Sequence, residues 1–198
     1  MGDHRTVLSG DVLAAAPRLL GALLSSGGVT VRLTEVEAYA GSDDPGSHAY
    51  RGRTPRNAVM FGAAGHAYVY FSYGIHWCLN VVAGPDGEAA AVLLRGAEVV
   101  DGLGLARSRR PGASDQDLCR GPARLCRTLS VTGEQDGADL LDPRSPLRLI
   151  PTTTVAGVVR TGPRVGVAGE GAATPWRFWL DGEPSVSRYR AAVPRVRR

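Results

Sequence analysis

The acidic strand end Glu37-Ala38-Tyr39 is followed by three arginines, Arg51, Arg53 and Arg56, and then by a window from Phe61 to Trp77 that holds six of the chain's twelve Phe, Trp and Tyr residues. Flat π faces stack on bases and guanidinium groups pair with phosphates, so this combination suits a base-handling surface better than a small-metabolite pocket. The lone carboxylate upstream points to chemistry at that surface. All 23 basic residues are arginine. Arginine stays protonated and offers no amine nucleophile, so Schiff-base chemistry has only the α-amino terminus to use.

The elements that must position these residues are legible from turn signals and periodicity. Residues 11–20 read as a short helix capped by Asp11, with Pro17 starting its final turns or kinking it. Residues 22–26 and 29–39 flank Gly27-Gly28 as hairpin arms, which places Glu37 near a strand end. Residues 41–57, rich in Gly, Asp, Pro, Ser and Arg, form a loop too long for an ordinary connection, either functional or disordered, and His48 lies inside it. A strand over 67–73 puts Tyr68 and Tyr70 on one face, and Tyr73-Gly74 turns the chain into a second strand over 77–82, with Tyr73 near the hairpin tip. A strand over 88–95, helices over 97–107 and 117–129, and strands within 155–167 and over 176–180 complete the expectation. Strands and helices do not alternate regularly. The fold class expected is therefore α+β, a curved, mostly antiparallel sheet flanked by helices, rather than a doubly wound fold.

With 198 residues and 43% hydrophobic content, one domain spanning 1–198 is expected, its last residues from about 187 a flexible arginine-rich tail. No run approaches a membrane span and the start lacks the pattern of a signal peptide, so a cytoplasmic protein is expected. Cys78, Cys119 and Cys126 form no C-x-x-C pair, which suits a reducing compartment and predicts neither a disulfide frame nor a structural metal. The net charge is only +4. Its arginines nevertheless cluster, at Arg107, Arg109 and Arg110, at Arg120, Arg124 and Arg127, and near the C-terminus, as solvated faces or as local contact patches.

The strings Glu35-Val36-Glu37-Ala38-Tyr39, Ser47-His48, Thr54-Pro55-Arg56-Asn57, Tyr68-Val69-Tyr70, Tyr73-Gly74, Cys78-Leu79-Asn80, Val92-Leu93-Leu94-Arg95 and Gly162-Pro163-Arg164-Val165-Gly166-Val167 together resemble the alkyladenine (3-methyladenine) DNA glycosylase family, over most of the chain. The resemblance implies a monofunctional enzyme that flips alkylated or deaminated purines (3-methyladenine, 7-methylguanine, hypoxanthine, ethenoadenine) out of double-stranded DNA. It would cleave the bond from base to sugar by hydrolysis and leave an abasic site. By similarity, Tyr73 is the wedge that fills the gap, and Tyr39, His48 and Tyr70 enclose the base. Asn80 would reject the exocyclic amine of guanine from the pocket floor, or act as an ordinary core hydrogen-bond partner. Glu37 would be the general base, with Arg95 and the backbone of Val165 holding the water. The alternative for Glu37 is an exposed strand carboxylate, the role expected of Glu35. No cofactor and no metal are implied, and nothing demands more than a monomer. The chain departs from the family's pattern after Val167, which runs directly into Ala168-Gly169-Glu170 and puts the position of Val165 in question. Two other classes compete: a non-catalytic binder of damaged DNA, and a hydrolase of free nucleosides that would need neither wedge nor phosphate contacts.

Overall fold

A computed structural model describes residues 4–152 and 154–192. The chain begins with α1 (His4–Leu8) and α2 (Val12–Ala15), and Asp11 caps α2 by accepting a hydrogen bond from Leu13 N at 3.0 Å. Pro17 stands at the start of a 3₁₀ turn, Ala16–Leu19, that continues from α2. A hairpin follows, β1 (Leu23–Ser26) and β2 (Val29–Tyr39), then the second hairpin, β3 (Ala67–Ser72) and β4 (His76–Val82), and the long strand β5 (Ala91–Asp101). Helices α3 (Leu103–Arg109) and α4 (Pro122–Leu129) precede β6 (Leu147–Ile150), β7 (Val159–Gly162) and β8 (Arg177–Leu180). No helix among the described residues is long and apolar enough to cross a membrane.

Every strand pairing is antiparallel, in the order β3-β4-β5-β2-β1-β6, with β8 joining β2 and β7 joining β8. The α+β class with a curled antiparallel sheet is the expected one. β2 is its axis: β5 lies along one edge, while the other edge takes β1 first and β8 later.

The side-chain pattern of β2 explains how carboxylates came to lie in its middle. Val29, Val31 and Leu33 belong to the main hydrophobic core, and so do Val36 and Ala38. The inward parity therefore changes from odd to even within one strand. The ladder to β5 shifts register between Leu33 and Glu35 and again between Glu35 and Val36, and an inserted residue of this kind re-aims every side chain beyond it. Without the bulge, Glu35 and Glu37 would continue the odd positions into the apolar core. With it they face the opposite side of the sheet, where a second, smaller apolar cluster of Ala49, Met60, Tyr68, Val82 and Ala91 lies under the long loop.

Two expectations from sequence differ from the structure. Residues 97–101 read as the start of a helix but extend β5, because the first half of β2 takes them as its ladder partners, and α3 begins only after Gly102, whose φ is 75°. The helix over 117–129 starts at Pro122, where a missing N–H costs nothing. β6 was not foreseen; it closes the outer edge of β1.

Candidate active site

A single row of directly opposed residues crosses five strands on the face away from the main core: Tyr68 (β3), Asn80 (β4), Leu93 (β5), Glu37 (β2) and Arg177 (β8). Above this row opens a cleft of about 930 Å³. Tyr39, His48, Tyr70, Asn80, Arg95 and Val165 all line it, so residues scattered over more than half of the sequence converge on one site.

Glu37 has no exposed surface. Its Oε1 accepts from Val165 N at 2.7 Å, and its Oε2 accepts from Tyr39 Oη at 2.9 Å and from Arg95 Nη1 at 3.4 Å. The two groups expected to hold a water thus also contact the carboxylate itself. Burial pushes the Glu37 carboxyl above its ordinary range; Arg95, the Val165 N–H and the Tyr39 hydroxyl pull it down, nearby Glu35 adds repulsion, and the net direction is up. Burial, with the Glu37 charge beside it, raises the Tyr39 phenol well above its ordinary value, so that it remains a donor. Val165, two residues before the direct run from Val167 into Ala168, points its N–H at Glu37.

The loop between β2 and β3 is ordered by polar contacts at its two ends. At the first end, Asp44 accepts from Gly46 N at 2.9 Å and Ala40 N at 3.2 Å, and pairs with both terminal nitrogens of Arg164, Nη2 to Oδ1 at 2.7 Å. Neither Asp44 nor Arg164 has exposed surface. The Arg164 guanidinium also lies over the π faces of Tyr39 and Trp176, 4.6 and 5.1 Å from the ring centroids, and donates to Ala38 O at 3.0 Å. It therefore ties the loop to the Tyr39 ring and to the turn carrying Val165. At the other end, Asn57 donates to His48 O at 2.9 Å and Gly52 O at 3.0 Å and accepts from Thr54 N at 2.7 Å, which is the structural work of the Thr54-Pro55-Arg56-Asn57 string.

His48 is held by Tyr68, Nδ1 to Oη 2.9 Å, and packs edgewise on Tyr70 with centroids 4.5 Å apart. Burial, helped by Arg56, lowers its pKa and favours the neutral ring. Tyr70 lies 5.4 Å from Tyr68. Asn80 is buried, donates to Tyr68 O at 2.9 Å as a core hydrogen-bond partner, and also lines the cleft.

Tyr73 lines the same cleft from the hairpin tip. It is 77% exposed at the tip of the β3–β4 hairpin, with φ of 50° at Tyr73 and 68° at Gly74 and Ile75 N bonded to Ser72 O at 2.9 Å. Positive φ at both central residues matches the twist of a tight hairpin, a conformation that strains an aromatic residue. Ile75 beside it is 76% exposed. Phe71 and Trp77, the second pair below the tip, pack with ring centroids 4.8 Å apart.

Glu35 is the one clear correction at the site. Expected as an exposed strand carboxylate, it has no exposed surface and bonds Arg95, Arg177 and Ser187. Residues at i and i+2 of a strand share a face, so its spacing from Glu37 carried the signal. Asp44, Arg164 and Ser187 had no comparable local signal. Residues 187–190, read as the start of a tail, pack against the site, with Gly166 N bonded to Arg190 O at 3.0 Å; residues 193–198 lie outside the described residues.

Known proteins resemble this chain over nearly its whole length. The family model of methylpurine-DNA glycosylase (MPG) matches residues 6–184. A protein of Streptomyces avermitilis is 53% identical over 98% of this chain and 94% of its own length. One of Leifsonia xyli subsp. xyli is 57% identical over 90% and 88%, and one of Mycobacterium tuberculosis 51% identical over 91% and 90%. All three are provisionally named 3-methyladenine DNA glycosylases.

Proposed function

Because the chain belongs to the methylpurine-DNA glycosylase family, and so is a hydrolase of N-glycosyl bonds acting on damaged DNA, we propose that it extrudes an alkylated or deaminated purine into the cleft and releases it with a water activated by Glu37. The observation that carries this reading is the convergence of Val165 N–H, Tyr39 hydroxyl and Arg95 on one buried carboxylate beside an aromatic cleft. Arg95 and Val165 both line the cleft, so a water entering between them stands next to Glu37 and below a bound nucleotide. The carboxylate takes a proton from that water as it attacks C1′, and its charge stabilises the positive charge that develops on the sugar.

Tyr39, His48 and Tyr70 enclose the base. Purines alkylated at N3 or N7 are cationic, and aromatic faces attract a flat cation by roughly 0.5 to 2 kcal/mol. Such a base leaves without further protonation, and among the described residues that line the cleft there is no carboxylate to act as a general acid. Release of 3-methyladenine is therefore expected to outpace release of hypoxanthine. Incubating one duplex series carrying 3-methyladenine-type, ethenoadenine or hypoxanthine damage, with chromatography of the freed bases, tests activity and ranking together. Binding without any freed base contradicts the enzyme reading.

Asn80 at the floor opposes the exocyclic amine of guanine. Without lysine side chains, hydrolysis rather than amine attack is the route the chain supports, leaving an intact abasic site in duplex DNA bound by a monomer. Tyr73 fills the vacated stack from the minor groove. Tyr73→Ala is expected to weaken capture of a lesion in duplex DNA at least about tenfold, since base unstacking costs a few kcal/mol, while sparing a lesion in single-stranded DNA. Equal losses on both substrates would remove the wedge.

A further inference from the structure

Glu35 has no part in the mechanism above, yet it lies two residues from Glu37 on the same face of β2, fully buried. Four donor contacts converge on it: Arg177 Nε at 2.7 Å, Arg95 Nε at 3.1 Å, Ser187 N at 2.6 Å and Ser187 Oγ at 2.8 Å. Arg95 is thus gripped at Nε by Glu35 while Nη1 reaches Glu37 at 3.4 Å and Nη2 reaches Ser187 Oγ at 3.3 Å. Gly96 stands opposite Glu35 in the ladder, where a Cβ would fall 2.9 Å from Glu35 Cβ and 2.8 Å from Ser185 O. A larger residue there would expel either the carboxylate or the segment that covers it.

That segment, residues 185–190, reaches two of the three donors to Glu37, Arg95 directly and Val165 through its neighbour Gly166. Ser185 Oγ meets Thr34 Oγ1 at 2.9 Å, Arg120 Nε bonds Val186 O at 2.9 Å, and Arg177 Nη2 bonds Ser187 O at 2.6 Å. Its far end bonds Gly166 N, next to Val165. A buried ionic cluster is a weak stabiliser compared with apolar packing of similar volume. Its position beside the catalytic carboxylate gives it a different use.

We propose that Glu35, clamped by residues 185–190, is a positioning residue for base release: it holds the Arg95 guanidinium by Nε and shares its charge, so that Arg95 faces Glu37 without closing on it as a full ion pair. The inference rests on reading Glu37 as the base. The groups facing Glu37 are Glu35 and Tyr39 from its own strand, Arg95 from β5, the Val165 N–H, and Tyr70 and Cys78 from the β3–β4 hairpin; Arg177 from β8 faces Glu35. Burial raises Tyr39, Tyr70 and Cys78, which remain neutral through the acid range. Removing the Glu35 charge takes away a repulsion and frees Arg95 for Glu37, and both effects make Glu37 a weaker base.

The test is the pH profile of single-turnover release for wild type, Glu35→Gln, Ser187→Ala and Glu37→Gln, with the Kd of each for a lesion duplex. Glu35→Gln is expected to lower the plateau rate roughly 10- to 100-fold, the cost of a small misplacement near the chemistry. Its acid limb moves to lower pH, and lesion affinity stays within about twofold. Ser187→Ala keeps every charge but loses the hydroxyl that donates to Glu35 and accepts from Arg95; with Arg95 loosened the rate falls about fivefold, the effect of the hydrogen bond lost to Arg95, with its acid limb in place. A folded Glu35→Gln with the wild-type plateau and limb overturns the positioning role. Should Glu35→Gln not fold, an unchanged rate in Ser187→Ala overturns it and the fivefold loss upholds it. Full release by Glu37→Gln, or none by wild type, overturns the reading of Glu37 and with it this role.

Discussion

Glu37→Gln is expected to lower base release at least about 10³-fold, because one residue supplies both proton removal, ordinarily about 10² to 10⁴-fold, and electrostatic stabilisation of the sugar cation. Lesion binding should persist, since the cleft rings, Asn80 and the Tyr73 hairpin are untouched. The amide oxygen can still accept from Val165 N while its NH2 donates to a Tyr39 hydroxyl turned to accept, so most of the local fold is kept. Thermal stability should hold or rise. Burial is the largest influence on the Glu37 carboxyl and raises it, which means that the ionised form is less favoured in the folded chain than in the unfolded one. A group of this kind favours folding fully below its unfolded pKa, and that contribution disappears as pH rises through the folded pKa. Near neutral pH the buried anion is therefore a cost that glutamine removes. The same direction governs activity: the base must be ionised, so the rate falls as pH drops through the Glu37 pKa, and that limb lies above the ordinary carboxylate range. Single-turnover release from pH 4 to 9 (roughly the carboxylate to thiol range) with melting curves for both proteins checks all three outcomes. Substantial release by the glutamine variant would move the base elsewhere.

Asp44→Ala is expected to destabilise the protein by about 3 to 5 kcal/mol, since it leaves the fully buried Arg164 charge without its carboxylate. For a chain of this size the melting temperature falls by roughly 6 to 20 °C. The damage is local as well as global, because Arg164 carries the Tyr39 ring on one side and the turn of Val165 on the other, while Asp44 fastens the loop that presents His48. Activity measured well below the melting temperature should fall too. Asp44→Ala combined with Arg164→Met removes both charges and should recover part of the stability, as paired removal of buried ions does elsewhere. A double variant no more stable than Asp44→Ala would show that the guanidinium matters for its stacking on Tyr39 and Trp176 rather than for its charge balance. An Asp44→Ala protein within about 1 kcal/mol of wild type would mean that Arg164 finds another partner.

Much of the scaffold was legible because its signals are local. Gly27-Gly28 before a β-branched arm and Tyr73-Gly74 between aromatic strands announce hairpins through backbone conformations that few residues adopt. Period-two spacing put Tyr68 and Tyr70 on one face. The same logic failed at residues 97–101, whose composition permits a helix, because their strand state comes from pairing with residues 30–33 far away in sequence.

At the site the division is sharper. Resemblance, rather than pattern, singled out Glu37, Arg95 and Val165, and the fold brings the three within hydrogen-bonding distance. The sequence by itself determined which residue types exist for the chemistry: an aromatic cluster, arginine in place of lysine, and two carboxylates spaced to share a strand face. Tertiary structure alone decided that a bulge at Glu35 turns both carboxylates away from the apolar core, and that segment 185–190 buries Glu35 among Arg95, Arg177 and Ser187. Local sequence sets the direction of a side chain. Whether a charge so directed meets water or a buried partner depends on which distant segment crosses it, as Asp44 meets Arg164 across 120 residues.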